Sequence, residues 1–106
     1  MTDIAIIDVD RDEVKRGLAN DSMLVVDVRE PHEFAAGHIP GSVSHPLSRF
    51  DPAKLPVGEG KRIVFSCAAG VRSRRAAEFA QAAGLDLREH YTGGFKEWSA
   101  AGEPVE

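Results

Sequence analysis

A lone cysteine, Cys67, stands between the apolar run Ile63-Val64-Phe65 and the segment Ala68-Ala69-Gly70-Val71-Arg72-Ser73, and from Arg74 to Ala83 the pattern predicts an amphipathic helix. A strand that turns through small residues into a helix aims several backbone N–H groups at one point, and the helix start adds the positive end of its dipole there. A thiol at the mouth of such a turn is favoured as the thiolate, the nucleophilic form of cysteine. Lowering a thiol from about 8.5 by about two units needs about 2.7 kcal/mol of preferential stabilisation of the anion. A helix terminus supplies about 0.3–1 kcal/mol, and about 2 kcal/mol in a favourable buried geometry. Hydrogen bonds from the loop N–H groups and the nearby Arg72 are therefore expected to add to the dipole. Cys67 is the candidate nucleophile, and residues Ala68, Ala69, Gly70, Val71, Arg72 and Ser73 are the candidate anion cradle. Within it, Arg72 either contacts the anion or orients the loop by bonding carbonyls or a carboxylate, Ser73 either donates to the Cys67 sulfur or caps the helix, and Gly70 serves backbone conformation rather than chemistry.

Other polar residues carry weaker signals. Lys61, Arg62, Arg74 and Arg75 flank the cysteine segment in a chain of net charge −4, and read either as steering for a small anion or as ordinary solvated positions. The net acidity argues against nucleic acid and anionic membrane as partners. Asp27, Arg29 and Glu33 read as a structural ion-pair cluster near the sheet, and His38 as a turn residue bonded to backbone. His32, His45 and His90 lack metal-ligand spacing and there is no second cysteine, so neither metal nor cofactor is expected. A single cysteine permits no internal disulfide and no resolving thiol, so any group loaded on it must leave to an external acceptor. The start Met1-Thr2-Asp3-Ile4 lacks the features of a signal peptide, and no apolar stretch approaches the roughly 20 residues of a membrane span; a soluble, cytoplasmic protein is expected.

The elements that must hold the cysteine follow from periodicity and punctuation. The 106 residues suit one domain, 1–106, with one core. Ile4 to Ile7 predicts a first strand; Asp8 or Asp10 can cap a helix carrying Val14 and Leu18 on one face, and that helix runs out near Ala19-Asn20-Asp21. Met23 to Val28, apolar except for Asp27, suits a strand buried on both faces of a parallel sheet. Pro31 opens a short helix stopped by Gly37, followed by a turn-rich connector and an extended segment around Val43. Leu47 to Leu55 predicts an irregular helix broken at Pro52; Pro56, Gly58 and Gly60 mark a loop before the strand Lys61 to Ser66. The helix after the cysteine presents Ala76, Phe79, Ala80 and Ala83 on one face; Leu85 to His90 is a last strand, and Gly93-Gly94 opens a final helix with Phe95 and Trp98 in the core. Strands alternating with helices imply an α/β domain with a mainly parallel sheet.

Three blocks then carry a resemblance. Asp27-Val28-Arg29-Glu30 with Glu33-Phe34 and Gly37-His38-Ile39-Pro40-Gly41-Ser42 resembles the N-terminal signature of a single-domain rhodanese; Cys67 to Ser73 resembles that family's active-site loop; and Gly93-Gly94-Phe95-Lys96-Glu97-Trp98, ending in Gly102-Glu103-Pro104-Val105, resembles its C-terminal signature. The resemblance implies a rhodanese-like α/β fold, a mostly parallel five-stranded sheet flanked by helices on both faces. It implies a sulfurtransferase moving sulfane sulfur from thiosulfate or a persulfide donor to cyanide or a thiol through a Cys67 persulfide. The implied partners are thus a small anionic sulfur donor and a thiol or cyanide acceptor, with a sulfur-relay protein as a further candidate. A non-turnover persulfide relay or interaction module is the alternative reading. A phosphatase ranks below both, because related phosphatases place five residues between cysteine and arginine, whereas here Ala68, Ala69, Gly70 and Val71 make four. Many family members carry a basic or polar residue after the cysteine; Ala68 and Ala69 offer no such contact to a dianionic donor.

Overall fold

A computed structural model describes residues 5–57 and 59–106. Five strands form one sheet in the order β1-β5-β4-β2-β3: β1 Ile7–Val9, β2 Met23–Asp27, β3 Val43–Ser44, β4 Arg62–Ser66 and β5 Glu89–Tyr91. Every pairing is parallel, as the unbroken apolar runs of β2 and β4 require of strands covered on both faces. The helices are α1 Arg11–Ala19, α2 Pro31–Ala36, α3 Val71–Ala82 and α4 Gly94–Ala100, with two 3-10 turns at Leu47–Arg49 and Pro52–Lys54.

Side-chain alternation divides the core into two layers. On one face Val25 of β2, Val64 of β4 and Tyr91 of β5 meet Val14 of α1 and Trp98 of α4. On the other, Val26, Ile63 and Phe65 meet Ala76, Ala77 and Ala80 of α3, and Cys67 belongs to this layer. Burying each such valine or isoleucine contributes about 1.5–3 kcal/mol. The alanines let α3 lie close to the sheet, which brings its first turn down onto the end of β4.

Several expectations are corrected here. The first strand is Ile7–Val9 rather than Ile4–Ile7, since Asp8 and Val9 pair with His90 and Tyr91; Ile4, like Gly58 of the expected loop, lies outside the described residues. Asp10, not Asp8, caps α1, its carboxylate accepting from the Glu13 N–H at 2.9 Å. The Leu47–Leu55 segment resolves into the two separate turns, and β5 shortens to Glu89–Tyr91. The buried face of α3 uses Ala77 where Phe79 and Ala83 were expected; both of those are exposed, and Phe79 leans on Phe50 instead. Helix α3 also begins at Val71, so Arg72 and Ser73 stand on its first turn rather than in a preceding loop.

Candidate active site

Cys67 follows the last residue of β4, at the carboxyl edge of the sheet where the chain must turn into α3. The turn is made by Gly70, the N-cap of α3, with φ at +88°. A Cβ there would lie 2.5 Å from the carbonyl oxygen of Thr92, so neither the conformation nor the space admits a side chain. In this geometry the Gly70 N–H donates to the Cys67 Sγ at 3.1 Å. Ser73, one turn into the helix, brings its Oγ to 3.5 Å from the sulfur. Burial pushes the thiol up, but the Ser73 hydroxyl and the N–H groups of Ser73, Ala69 and Gly70 outweigh it and hold Cys67 below its ordinary value. The residue is only 1% exposed.

The carbonyls of the same turn point the other way, and α4 holds them. The Phe95 N–H donates to the Cys67 carbonyl at 2.8 Å and the Lys96 N–H to that of Ala68 at 3.0 Å. These amides belong to the first turn of α4, where no intrahelical acceptor exists. The approach is close enough that a Cβ on Gly94 would fall 2.5 Å from the Ala68 oxygen and 2.6 Å from the Cys67 oxygen. With its carbonyls fixed outward, the turn presents its N–H groups to the sulfur.

Of the predicted cradle residues, Ala69, Gly70 and Ser73 converge on Cys67, Ala68 contributes the carbonyl held by α4, and Val71 is 78% exposed, turned to solvent. Arg72 takes another partner. Its Nη1 and Nη2 donate to the two carboxylate oxygens of Glu33 at 2.7 and 3.1 Å. Glu33 Oε1 also accepts from the Glu30 N–H at 2.9 Å, so this carboxylate ties the start of α2 to the start of α3. Hydrogen bonding to Arg72 lowers Glu33 to about 2. This is the loop-orienting role open to Arg72; its charge still acts on Cys67, while the side-chain hydroxyl beside the sulfur is that of Ser73.

Glu33 thus hydrogen-bonds Arg72 rather than Arg29, although the Arg29 charge also helps to lower it. Asp27 and Arg29 form their own buried pair, Arg29 Nη2 donating to Asp27 Oδ2 at 2.7 Å and to the Gly37 carbonyl at 2.8 Å. The guanidinium lies 4.4 Å from the Phe95 ring centroid, linking the end of β2 to α4. His38 bonds backbone as expected, its Nδ1 being 3.0 Å from the Phe34 carbonyl. Lys61 pairs with Asp21, and Arg62 with Glu13 and Glu89, at the opposite end of β4 from the cysteine. The strand Arg62–Ser66 sets them about 17 Å of chain from it, and both are already paired with carboxylates, which fits ordinary solvated positions better than steering. Arg74 and Arg75 remain exposed beside the loop, with loose contacts to Glu78.

Two residues missed in the sequence complete the surroundings. His90, only 3% exposed, places its Nδ1 2.9 Å from Ser73 Oγ. Its Nε2 lies 3.0 Å from Asp8 Oδ1. Asp8 and His90 stand opposite one another in the β1–β5 register, as do His90 and Phe65 in the β4–β5 register, which puts all three on the α3 face. The one signal in the chain is Asp8 interrupting the apolar residues of β1; His90 sits in a stretch that is itself polar, Arg88-Glu89-His90, and carries none.

The family model for the Rhodanese-like domain matches residues 10–101. The mouse thiosulfate sulfurtransferase/rhodanese-like domain-containing protein 3 is 35% identical over 100 residues, covering 81% of this chain and 64% of its own length. Human thiosulfate:glutathione sulfurtransferase is 30% identical over 100 residues, covering 81% of this chain and 87% of its own. The solved structure of a Rhodopseudomonas palustris protein of unknown function, described as a possible tyrosine phosphatase, superposes with a TM-score of 0.79 at 32% identity over 95% of this chain and 85% of that one. The chain spans 48–64% of the length of several curated relatives it matches.

Proposed function

The chain belongs to the Rhodanese-like domain family, and from that premise we propose that residues 1–106 act as one sulfurtransferase domain with Cys67 as nucleophile and persulfide carrier. The observation that carries this reading is the convergence of amide hydrogens and the Ser73 hydroxyl on a sulfur that burial alone would keep protonated. In the first half-reaction the Cys67 thiolate attacks the outer sulfur of a donor such as thiosulfate. A new S–S bond forms, the donor's own S–S bond breaks, and the electron pair leaves with sulfite. In the second, cyanide or a thiolate attacks the terminal sulfur, and the Cys67 thiolate is released with its cradle intact. Both steps are thiolate exchange at sulfur, which a serine hydroxyl could not perform. The sulfurtransferase names of the mouse and human relatives support the same chemistry.

The four residues between Cys67 and Arg72, and the engagement of both Arg72 Nη atoms by Glu33, favour a single sulfur over a tetrahedral phosphate in the turn. That weighs against a phosphatase activity for this chain of the kind suggested for the Rhodopseudomonas palustris protein. Ala68 and Ala69 contribute no side-chain donors to the wall, which favours a low-molecular-weight or protein persulfide over thiosulfate as donor. A persulfide relay dependent on a partner protein shares every feature of the site, and steady-state turnover with small donors and acceptors separates it from an enzyme. The decisive measurement is mass spectrometry after incubation with thiosulfate or glutathione persulfide. A gain of one sulfur atom that is absent in Cys67→Ser is expected; loading that persists in the variant overturns the assignment. A higher kcat/KM for thiosulfate than for glutathione persulfide would refute the donor preference.

A further inference from the structure

His90 is a buried titratable side chain that sulfur transfer as described does not use, and both of its ring nitrogens are committed to side chains. Nε2 faces the Asp8 carboxylate at 3.0 Å and Nδ1 faces the Ser73 hydroxyl at 2.9 Å, which in turn stands 3.5 Å from the Cys67 sulfur. The four groups form a continuous line from the exposed edge strand to the buried thiol: Asp8 is 68% exposed at its side chain, while His90, Ser73 and Cys67 are buried. A histidine kept merely for packing needs one satisfied donor. Here a carboxylate on one side and a hydroxyl leading to a nucleophile on the other impose direction. With Nε2–H donating to Asp8, Nδ1 carries the lone pair and must accept from the Ser73 O–H. The Ser73 oxygen is then free to accept from the Cys67 S–H.

We propose that Asp8, His90 and Ser73 are a proton relay for Cys67, with Ser73 as carrier, His90 as the final proton acceptor and Asp8 as the group that sets the imidazole tautomer. The proposal rests on the reading of Cys67 as nucleophile, and it adds how that thiol loses its proton in a closed site. On ionisation the S–H proton passes to Ser73 Oγ as the serine's own proton passes to His90 Nδ1. The S–H, O–H and N–H bonds exchange one proton each, and no oxidant or external base is consumed. The product is a thiolate accepting from the Ser73 O–H, and an imidazolium donating to Ser73 at Nδ1 and to Asp8 at Nε2. Ser73 touches the reacting sulfur; His90 and Asp8 act through it and are positioning residues.

The electrostatic surroundings of His90 suit this role. From β1 the facing charged group is Asp8, and from β4 the neighbour in register is the apolar Phe65. From α3, beyond Ser73, come Arg74, Arg75 and Glu78, which with Asp8 and His90 border a cavity of about 470 Å³. Next to it in the chain the charged residues are Glu89, paired with Arg62, and Arg88, which precedes β5 and is paired with Asp86.

The test is a pair of titrations that need no sulfur donor. The first follows thiolate ultraviolet absorbance in wild type, His90→Gln and Asp8→Asn. Both variants are expected to raise the Cys67 pKa, His90→Gln by about one unit, or about tenfold less thiolate near neutrality, and Asp8→Asn by less because of its exposure. The second follows the His90 ring by NMR in wild type and Cys67→Ser. By reciprocity, losing the thiolate must make the imidazolium easier to deprotonate, so His90 is expected to titrate lower in Cys67→Ser. Identical His90 titrations in the two proteins would overturn the relay, and so would a thiol pKa unmoved in Asp8→Asn and His90→Gln. The exposed Asp8 and the NMR measurement keep the test decisive should His90→Gln fail to fold. Absence of persulfide loading would instead count against the sulfurtransferase reading, leaving these titrations to stand or fall separately.

Discussion

Replacing Gly94 by alanine probes the joint between α4 and the cysteine turn. Gly94 has φ at +67°, where a Cβ costs about 1–2 kcal/mol against the carbonyl sterics of an L-residue. The added Cβ would also stand 2.5 Å from the Ala68 oxygen and 2.6 Å from the Cys67 oxygen, both backbone atoms that cannot swing aside. Overpacking of this kind costs about 1–3 kcal/mol. Reduced flexibility of the unfolded chain returns about 0.4–1 kcal/mol, leaving a net loss of about 1–4.6 kcal/mol. Gly102→Ala is the control: its φ is +75° with nothing within 4 Å of the added Cβ, so it carries the conformational terms without the clash. Urea denaturation of both variants, read as midpoint and m-value, isolates the overpacking as their difference, expected at about 1–3 kcal/mol. The same displacement must move the carbonyls now held by the Phe95 and Lys96 N–H groups, so the Cys67 thiol is expected to titrate higher in Gly94→Ala and unchanged in Gly102→Ala. Equal stability loss in the two variants, with an unaltered thiol titration, would refute the view that α4 holds the cradle in shape.

Arg29→Met strips the buried Asp27 carboxylate of its partner and is expected to cost about 3–5 kcal/mol in urea midpoints, with a loss below about 1 kcal/mol contradicting the burial of that pair. Glu33, lowered from 4.5 to about 2 by Arg72, binds protons more weakly folded than unfolded; it contributes stability that is complete above pH 4.5 and lost as pH falls towards 2. Glu33→Gln should therefore flatten that part of the acid-stability profile, and an identical profile would show the pair to be inert. Arg72→Ala is expected to raise the thiol pKa less than Ser73→Ala, because Arg72 bonds Glu33 while Ser73 bonds the sulfur; the reverse order in thiolate absorbance would return Arg72 to the cradle.

What the chain alone determined lies within a few residues of itself. The stretch Met23–Val28, apolar except for Asp27, announced a strand covered on both faces, and Asp10 followed three residues later by Glu13 announced the start of α1. The passage from Phe65 through Cys67 and Gly70 into a helical pattern located the nucleophile candidate and its amide cradle, because strand, turn and helix start are local conformations with local signals. The first turn of α3 was misjudged for a local reason too: Arg72 and Ser73 read equally well as loop or as exposed helix. Tertiary structure alone decided the partners. Arg72 meets Glu33 across 39 positions, and Asp8 meets His90 across 82. Both meetings depend on the sheet order β1-β5-β4-β2-β3, which sets the first strand beside the last and brings α2 against the start of α3. Strand order is chosen by the burial of two whole faces at once, a collective property that no window of sequence contains; the line of polar groups behind Cys67 exists only after that choice is made.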